Sequence, residues 1–219
     1  MRRRGPGQGD DRRKGLSGGS GVDYVFAYAS LVGLREPLTA GGFAYPALEG
    51  RLRDFRRRWG AAMDNWDPVN DPKHWVVPGS GERPRVRVAY LDIEPVGEGG
   101  TVNGIAIPVD AARLETLDAR EVNYRRVEVT DAFEPARTGG DSPAPPRRVF
   151  TYMATAAARA RCRAGAAEAN VCVSADYLAA TRRAFAALGD AALAEFDRTT
   201  EPLAFPQADL ELVTSLEGV

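Results

Sequence analysis

The chain is poor in the residue types on which most catalytic metal and nucleophile sites depend. It contains one histidine, His74, and two cysteines, Cys162 and Cys172, in 219 residues. A single histidine excludes a histidine-rich metal site and argues against a Ser-His-Asp triad. The two cysteines could pair with each other, but they form no disulfide framework, which favours a reducing, cytoplasmic setting. We expect no bound metal.

Long apolar runs and a strong net charge are also absent. No apolar stretch is long enough to cross a bilayer, and the N-terminal arginines have no apolar segment behind them. The formal net charge is −1, which gives no general attraction to nucleic acid or to a membrane surface. Neither a Gly-x-Gly-x-x-Gly sequence nor a Walker motif occurs. We therefore expect no cofactor, no nucleic-acid partner and no membrane association.

The distribution of residue types predicts three regions. Residues 1–21 are rich in Arg, Gly, Asp and Ser, which predicts a disordered tail. Residues 22–198 hold the predicted domain, and residues 199–219 are predicted to be an irregular C-terminal tail. The alternative for the first region is a basic arm for nucleic acid, although Asp10 and Asp11 interrupt its charge.

Within the domain, strands precede and follow one short helix, and further helices gather near the C-terminal end. This order predicts an α+β fold whose mixed or antiparallel sheet curls toward a small β-barrel with flanking helices. Gly104, inside a strand, predicts a close approach of another backbone. Residues 60–84 are predicted to be a long loop, and residues 86–93 and 102–109 a hairpin. The other predicted strands are 23–28, 50–59, 124–130 and 149–155. The other predicted helices are 156–170, 175–188 with Ser174 as its N-cap, and a last helix with Asp190 as its N-cap.

Glu121 is the side chain with the strongest indication of chemistry. A helix capped by Asp110 would place Glu121 about 20° from Leu114 around the helix axis, with Leu117 on the same apolar side. Burial there and the negative end of the helix dipole both raise the pKa of a carboxyl group toward the range of a general base. The alternative is that Glu121 ends a surface helix and pairs with Arg125.

The first predicted strand ends in small residues. Ala29 and Ser30 follow Tyr28, and such an ending exposes backbone N–H groups that bind an anion or a developing oxyanion. A plain exit from strand to loop is the alternative interpretation of the same residues.

Four short motifs follow one another between about residues 23 and 188. They are FAYASL (26–31), VNGIAIPV (102–109), LDAREVNYRR (117–126) and VFTY (149–152), which leads to SADYL (174–178). In order and spacing they resemble the gamma-glutamylcyclotransferase family, which typically has Tyr-Gly-Ser-Leu and then Leu-Asp-x-x-Glu with a tyrosine three residues on. The resemblance implies a small mixed barrel with one cavity.

The resemblance also implies a reaction that needs no cofactor. The α-amine of a γ-glutamyl amide attacks its own side-chain carbonyl and releases 5-oxoproline, with Glu121 as general base and then general acid. Free γ-glutamyl amino acids, γ-glutamyl amines, glutathione and a γ-glutamyl-protected intermediate all present the same reacting atoms. The sequence therefore does not determine the identity of the leaving group.

The substrate-binding residues that the resemblance implies are Tyr28, Ala29, Ser30, Leu31 and Tyr124. The family usually has glycine where this chain has Ala29. If that position requires a positive φ, alanine costs about 1 kcal/mol or more. This departure favours the main alternative, a catalytically inactive binding or scaffold protein on the same fold.

Overall fold

The computed structural model describes residues 21–40, 43–136 and 146–214. These ranges contain four α-helices: α1 (Ala111–Arg120), α2 (Ala156–Ala167), α3 (Ala175–Ala186) and α4 (Asp190–Thr199). The first seven strands are β1 (Asp23–Ala27), β2 (Leu38–Ala40), β3 (Phe43–Tyr45), β4 (Leu48–Arg53), β5 (Phe55–Asp64), β6 (Lys73–Val76) and β7 (Arg87–Pro95). The other seven are β8 (Thr101–Val109), β9 (Tyr124–Glu128), β10 (Phe133–Pro135), β11 (Arg148–Ala154), β12 (Val171–Ser174), β13 (Gln207–Ala208) and β14 (Glu211–Thr214). The predicted N-terminal tail lies outside the described residues except for residue 21, as does most of the loop before β11.

Two larger sheets organise the fold. The first has the order β10-β4-β8-β1-β11-β9, and the second has the order β13-β12-β7-β5. Strand β1 lies inside the first sheet, antiparallel to β8 and parallel to β11. The mixed sheet and the flanking helices are confirmed, but the predicted small barrel is not, because the described strands form open sheets whose edges do not close.

The predicted hairpin of residues 86–93 and 102–109 is wrong in its pairing. Both segments are strands, but β7 pairs with β5 and β12, whereas β8 pairs with β4 and β1. Each strand is buried along most of its length, so each needs partners on both edges. The two strands therefore enter different sheets.

The predicted strand 50–59 is two strands, and the predicted loop 60–84 is partly regular. Strands β4 and β5 meet at Asp54, whose φ of 63° makes the sharp turn, and β5 continues to Asp64. Strand β6 then pairs with β14. The segment from Thr199 was also predicted to be irregular, but it contains β13 and β14, because its backbone completes the edges of two sheets.

The helix boundaries follow the capping residues. The Asp110 side chain accepts a hydrogen bond from Arg113 N at 2.8 Å, and Ser174 Oγ accepts one from Tyr177 N at 3.3 Å. Gly189, with a φ of 121°, separates α3 from α4. The predicted caps Asp110 and Ser174 are confirmed, whereas the predicted cap Asp190 lies in the first turn of α4, after Gly189.

The core lies between the sheets and α3 and α4, with Phe26, Leu91, Ile105 and Phe185 among its fully buried side chains. The prediction for Gly104 is confirmed, because a Cβ there would overlap the carbonyl oxygen of Ala27. Among the helices of the described ranges, none has the length and apolar character needed to span a bilayer.

Candidate active site

One cavity of about 410 Å³ brings the predicted site residues together. Its wall takes residues from both larger sheets, from the small β6–β14 sheet, from α3 and from the end of α1. The volume falls in the range of small-molecule sites. All six residues predicted from the sequence line it: Tyr28, Ala29, Ser30, Leu31, Glu121 and Tyr124.

Glu121 ends α1 and faces this cavity. Its backbone N–H still donates to Leu117 O at 3.0 Å, so it is the last residue held by the helix. Its side chain is 14% exposed. Burial raises the pKa of the Glu121 carboxyl group above its ordinary value, while Lys73 and Arg120 act in the opposite direction. The predicted inward orientation is confirmed, and the alternative of a surface pair with Arg125 is wrong, because the ion pair formed is with Arg120.

Two cations surround this carboxylate. Arg120 Nε lies 3.3 Å from Glu121 Oε1, yet neither Nε nor Nη1 of Arg120 donates a hydrogen bond to any described residue, and both atoms are buried. Lys73 lines the same cavity and forms no ion pair with a carboxylate of the described ranges. Burial lowers the pKa of Lys73, partly offset by the charge of Glu121. This corner of the cavity therefore carries more positive than negative charge.

The segment 28–31 forms the opening of a 3₁₀ turn that follows β1. Within the turn, Val32 N donates to Ala29 O at 3.0 Å and Leu34 N donates to Leu31 O at 2.9 Å. The N–H groups of Ala29, Ser30 and Leu31 precede these bonds and are not used by the turn. Ala29 has a φ of −143°. The position therefore does not require the left-handed backbone conformation that would favour glycine over alanine.

Three of the five tyrosine hydroxyl groups around the cavity form hydrogen bonds with the backbone. Tyr28 Oη donates to Tyr152 O at 2.7 Å, and Tyr124 Oη donates to Leu91 O at 2.8 Å. Tyr177 Oη accepts from Leu91 N at 3.4 Å. Burial raises the pKa of Tyr28 and Tyr124 well above the usual value. Both side chains are therefore neutral and held in place, and their hydroxyl protons are already used in hydrogen bonds to backbone carbonyl groups.

Several cavity residues are not among the six predicted site residues. Trp75 is buried on the wall, and its Nε1 donates to Tyr90 Oη at 2.6 Å. His74 points elsewhere, with Nδ1 3.0 Å from Asp71 O. Lys73 and Leu212 belong to segments that were predicted to be irregular. The one signal available for Lys73 is that lysine occurs only twice in the chain.

The described part of the chain shows neither a metal-binding cluster nor a disulfide bond. Within the described ranges, no cluster of His, Cys, Asp and Glu side chains has the geometry to hold a metal ion. Cys162 and Cys172 are both buried and unpaired with each other, and burial raises the pKa of each thiol.

No family model and no curated protein matches the sequence, but solved structures do. YkqA from Bacillus subtilis is 16% identical over 85% of this chain, with a TM-score of 0.49, and this chain spans 56% of its length. A gamma-glutamyl cyclotransferase is 16% identical over 85% of this chain and 92% of its own, with a TM-score of 0.41. A yeast gamma-glutamyl cyclotransferase specific to glutathione is 13% identical over 61% of this chain and 70% of its own, with a TM-score of 0.35. The last two structures carry the name of the family that the sequence motifs resemble.

Proposed function

We propose that this chain is a gamma-glutamyl cyclotransferase, which releases 5-oxoproline from a γ-glutamyl amide with Glu121 as the proton carrier. One observation carries the proposal: Glu121, a buried carboxylate with a raised pKa, shares a cavity with Ala29, Ser30 and Leu31, whose N–H groups the hydrogen bonds of the 3₁₀ turn after β1 do not use. A base and a set of amide donors around one small-molecule cavity are what intramolecular acyl transfer requires.

The first part of the reaction is proton removal. The α-amine of the substrate must be neutral to attack, and the Glu121 carboxylate takes its proton. The amine nitrogen then forms a bond to the side-chain carbonyl carbon. Because both groups belong to one molecule, the entropy of bringing them together is largely met in advance.

The second part is collapse of the tetrahedral intermediate. Its oxyanion would accept hydrogen bonds from the N–H groups of Ala29, Ser30 and Leu31. The bond from the carbonyl carbon to the leaving nitrogen breaks as Glu121 gives its proton to that nitrogen. The ring nitrogen still carries two protons, and it passes one of them through Glu121 to the departing amine, which leaves as an ammonium group. The products are 5-oxoproline and a free amine, and no cofactor or water is consumed.

The two cations beside Glu121 fit the remaining charge of the substrate. In a γ-glutamyl compound the α-carboxylate and the α-amine share one carbon atom, so a base for the amine needs a cation as its close neighbour. Lys73 and Arg120 are such neighbours, and Arg120 has buried nitrogens without hydrogen-bond acceptors. We assign them to the α-carboxylate as binding residues.

The ion pair of Arg120 with Glu121 also supports a second candidate, a binding protein on the same fold that does no chemistry. In that case Glu121 would serve only to balance the charge of Arg120. The two candidates differ in whether 5-oxoproline appears when a γ-glutamyl compound is supplied.

The test is a screen of γ-glutamyl compounds for release of 5-oxoproline, with Glu121→Gln as the informative variant. The substitution keeps the shape of the side chain and removes the proton acceptor, so kcat/KM should fall by about 10²- to 10⁴-fold. Equal turnover by the variant would contradict the role of Glu121.

Glu115→Gln is the matched control. Glu115 lies on the exposed face of the same helix, so the same change of charge there should leave turnover intact. If the unmodified chain binds γ-glutamyl compounds but releases no 5-oxoproline from any of them, the binding-protein candidate is the one that stands.

A further inference from the structure

The mouth of the cavity is lined by aliphatic side chains that are open to water. Val69 is 67% exposed, Val122 is 59% exposed and Leu212 is 38% exposed, and all three line the cavity. They come from three separate places: the turn before β6, the residue after Glu121, and β14. Their convergence at one opening is therefore a product of the tertiary fold.

These side chains are unusual for the surface of the molecule. Only five large apolar residues of the described ranges are exposed, and the other two are Val96 and Val213. Three of the five thus gather around one cavity. When a ligand removes exposed aliphatic groups at the rim of a site from water, their burial stabilises the complex.

The polar end of the cavity is already assigned. Glu121, Lys73 and Arg120 meet the amine and the carboxylate of the γ-glutamyl group, and the turn after β1 meets its carbonyl oxygen. The leaving amine must depart toward solvent, so it occupies the mouth. There it meets Val69, Val122 and Leu212, and the exposed side chains of Asp176 and Arg183 also line the cavity.

We infer that the leaving group of the substrate is an amine or amino acid with an apolar body, aliphatic or aromatic. This inference rests on the proposed function and adds to it the class of γ-glutamyl amide that the site prefers. A strongly polar leaving group, such as the cysteinylglycine of glutathione, would bury less apolar surface against the mouth and would be a poorer substrate.

The test compares γ-glutamyl-phenylalanine, γ-glutamyl-leucine, γ-glutamyl-glycine and glutathione by their kcat/KM for 5-oxoproline release. The two apolar compounds should exceed γ-glutamyl-glycine and glutathione by about tenfold or more, since the apolar group fills a hydrophobic site. Val122→Ser and Leu212→Ser should each reduce this ratio severalfold. Val96→Ser, a change of a valine outside the cavity that is as exposed as Leu212, should leave it unchanged.

Binding to the Glu121→Gln chain, measured by calorimetry, separates this inference from the proposed function. Release of 5-oxoproline without a preference for apolar leaving groups, or with a preference that the mouth variants do not alter, would overturn the inference alone. A second outcome is that γ-glutamyl-phenylalanine binds more tightly than γ-glutamyl-glycine and the mouth variants lose this preference, but the unmodified chain releases no 5-oxoproline. That outcome would overturn the proposed function and support the apolar binding site at the mouth. Absence of both release and preferential binding would overturn both.

Discussion

At the scale of single residues, the chemistry depends on the charges around Glu121. Burial raises the pKa of this carboxyl group, and Lys73 and Arg120 limit the rise. The general base must be ionised to accept the proton of the amine, so kcat/KM should increase with pH as Glu121 loses its own proton. The pH at which this happens reports the balance between burial and the two cations.

Lys73→Met removes one of those cations. Because the Lys73 ammonium group lowers the pKa of Glu121, its loss should move the acidic limb of the kcat/KM profile to higher pH. Lys73→Arg keeps the charge and should leave the limb near its original position. A profile of kcat/KM against pH for the three proteins checks this, and an unchanged limb in Lys73→Met would show that Lys73 does not act on Glu121.

At the scale of elements, β1 positions the turn that carries the amides, and its start is held by charge. Asp23 accepts hydrogen bonds from Arg147 Nε and Nη2, each at 2.8 Å, and from Arg148 Nη2 at 2.6 Å. Arg148 begins β11, the parallel neighbour of β1. These bonds therefore join the N-terminal ends of two adjacent parallel strands.

Asp23→Asn should destabilise this junction in a manner that depends on pH. Hydrogen bonds from Arg147 lower the pKa of Asp23 to about 2, below that of the unfolded chain, so its contribution is present above about pH 4 and lost as the pH falls toward 2. Both arginines are about half exposed, and solvent screening leaves about 1 kcal/mol at neutral pH. Denaturant unfolding of both proteins at pH 7 and pH 2.5 checks the expectation, which a constant difference would contradict.

At the scale of the whole molecule, the chain after α4 returns to both the fold and the cavity. Strand β13 extends the second sheet, and β14 pairs with β6, where Thr214 lies opposite Lys73 in the register. Ser174 Oγ donates to Leu210 O at 3.0 Å. The last described residues thus support the strand that carries a charged group of the site.

Leu210→Ala should destabilise the protein by about 2–3 kcal/mol, because this side chain is 3% exposed and its loss leaves a cavity. Leu212, two residues on, is 38% exposed, and Leu212→Ala should change stability by less than about 0.5 kcal/mol. Thermal or denaturant unfolding of the pair distinguishes a packed segment from an irregular one. Equally small effects would indicate that the segment does not contribute to the core.

Physical rules that act over a few residues account for what the sequence could predict. The Asp110 cap and the angle that places Glu121 beside Leu114 and Leu117 follow from helix geometry alone. The exit of β1 into a small-residue turn is equally local. These local features pointed to Glu121 and to the turn after Tyr28, because each depends on neighbours within about one or two helical turns. The set of substrate-binding residues, Tyr124 included, was implied by the resemblance to the gamma-glutamylcyclotransferase family.

The tertiary structure alone decided which distant segments meet. Strands β7 and β8 satisfy the same apolar pattern whether they pair with each other or with different partners, so the pattern could not assign them to separate sheets or show that the sheets stay open. Lys73 and Leu212 reach the cavity only because β6 and β14 pair across more than a hundred residues. Local preference forms each element, but the charge and the apolar rim of the site arise from pairing between strands that are far apart in the chain.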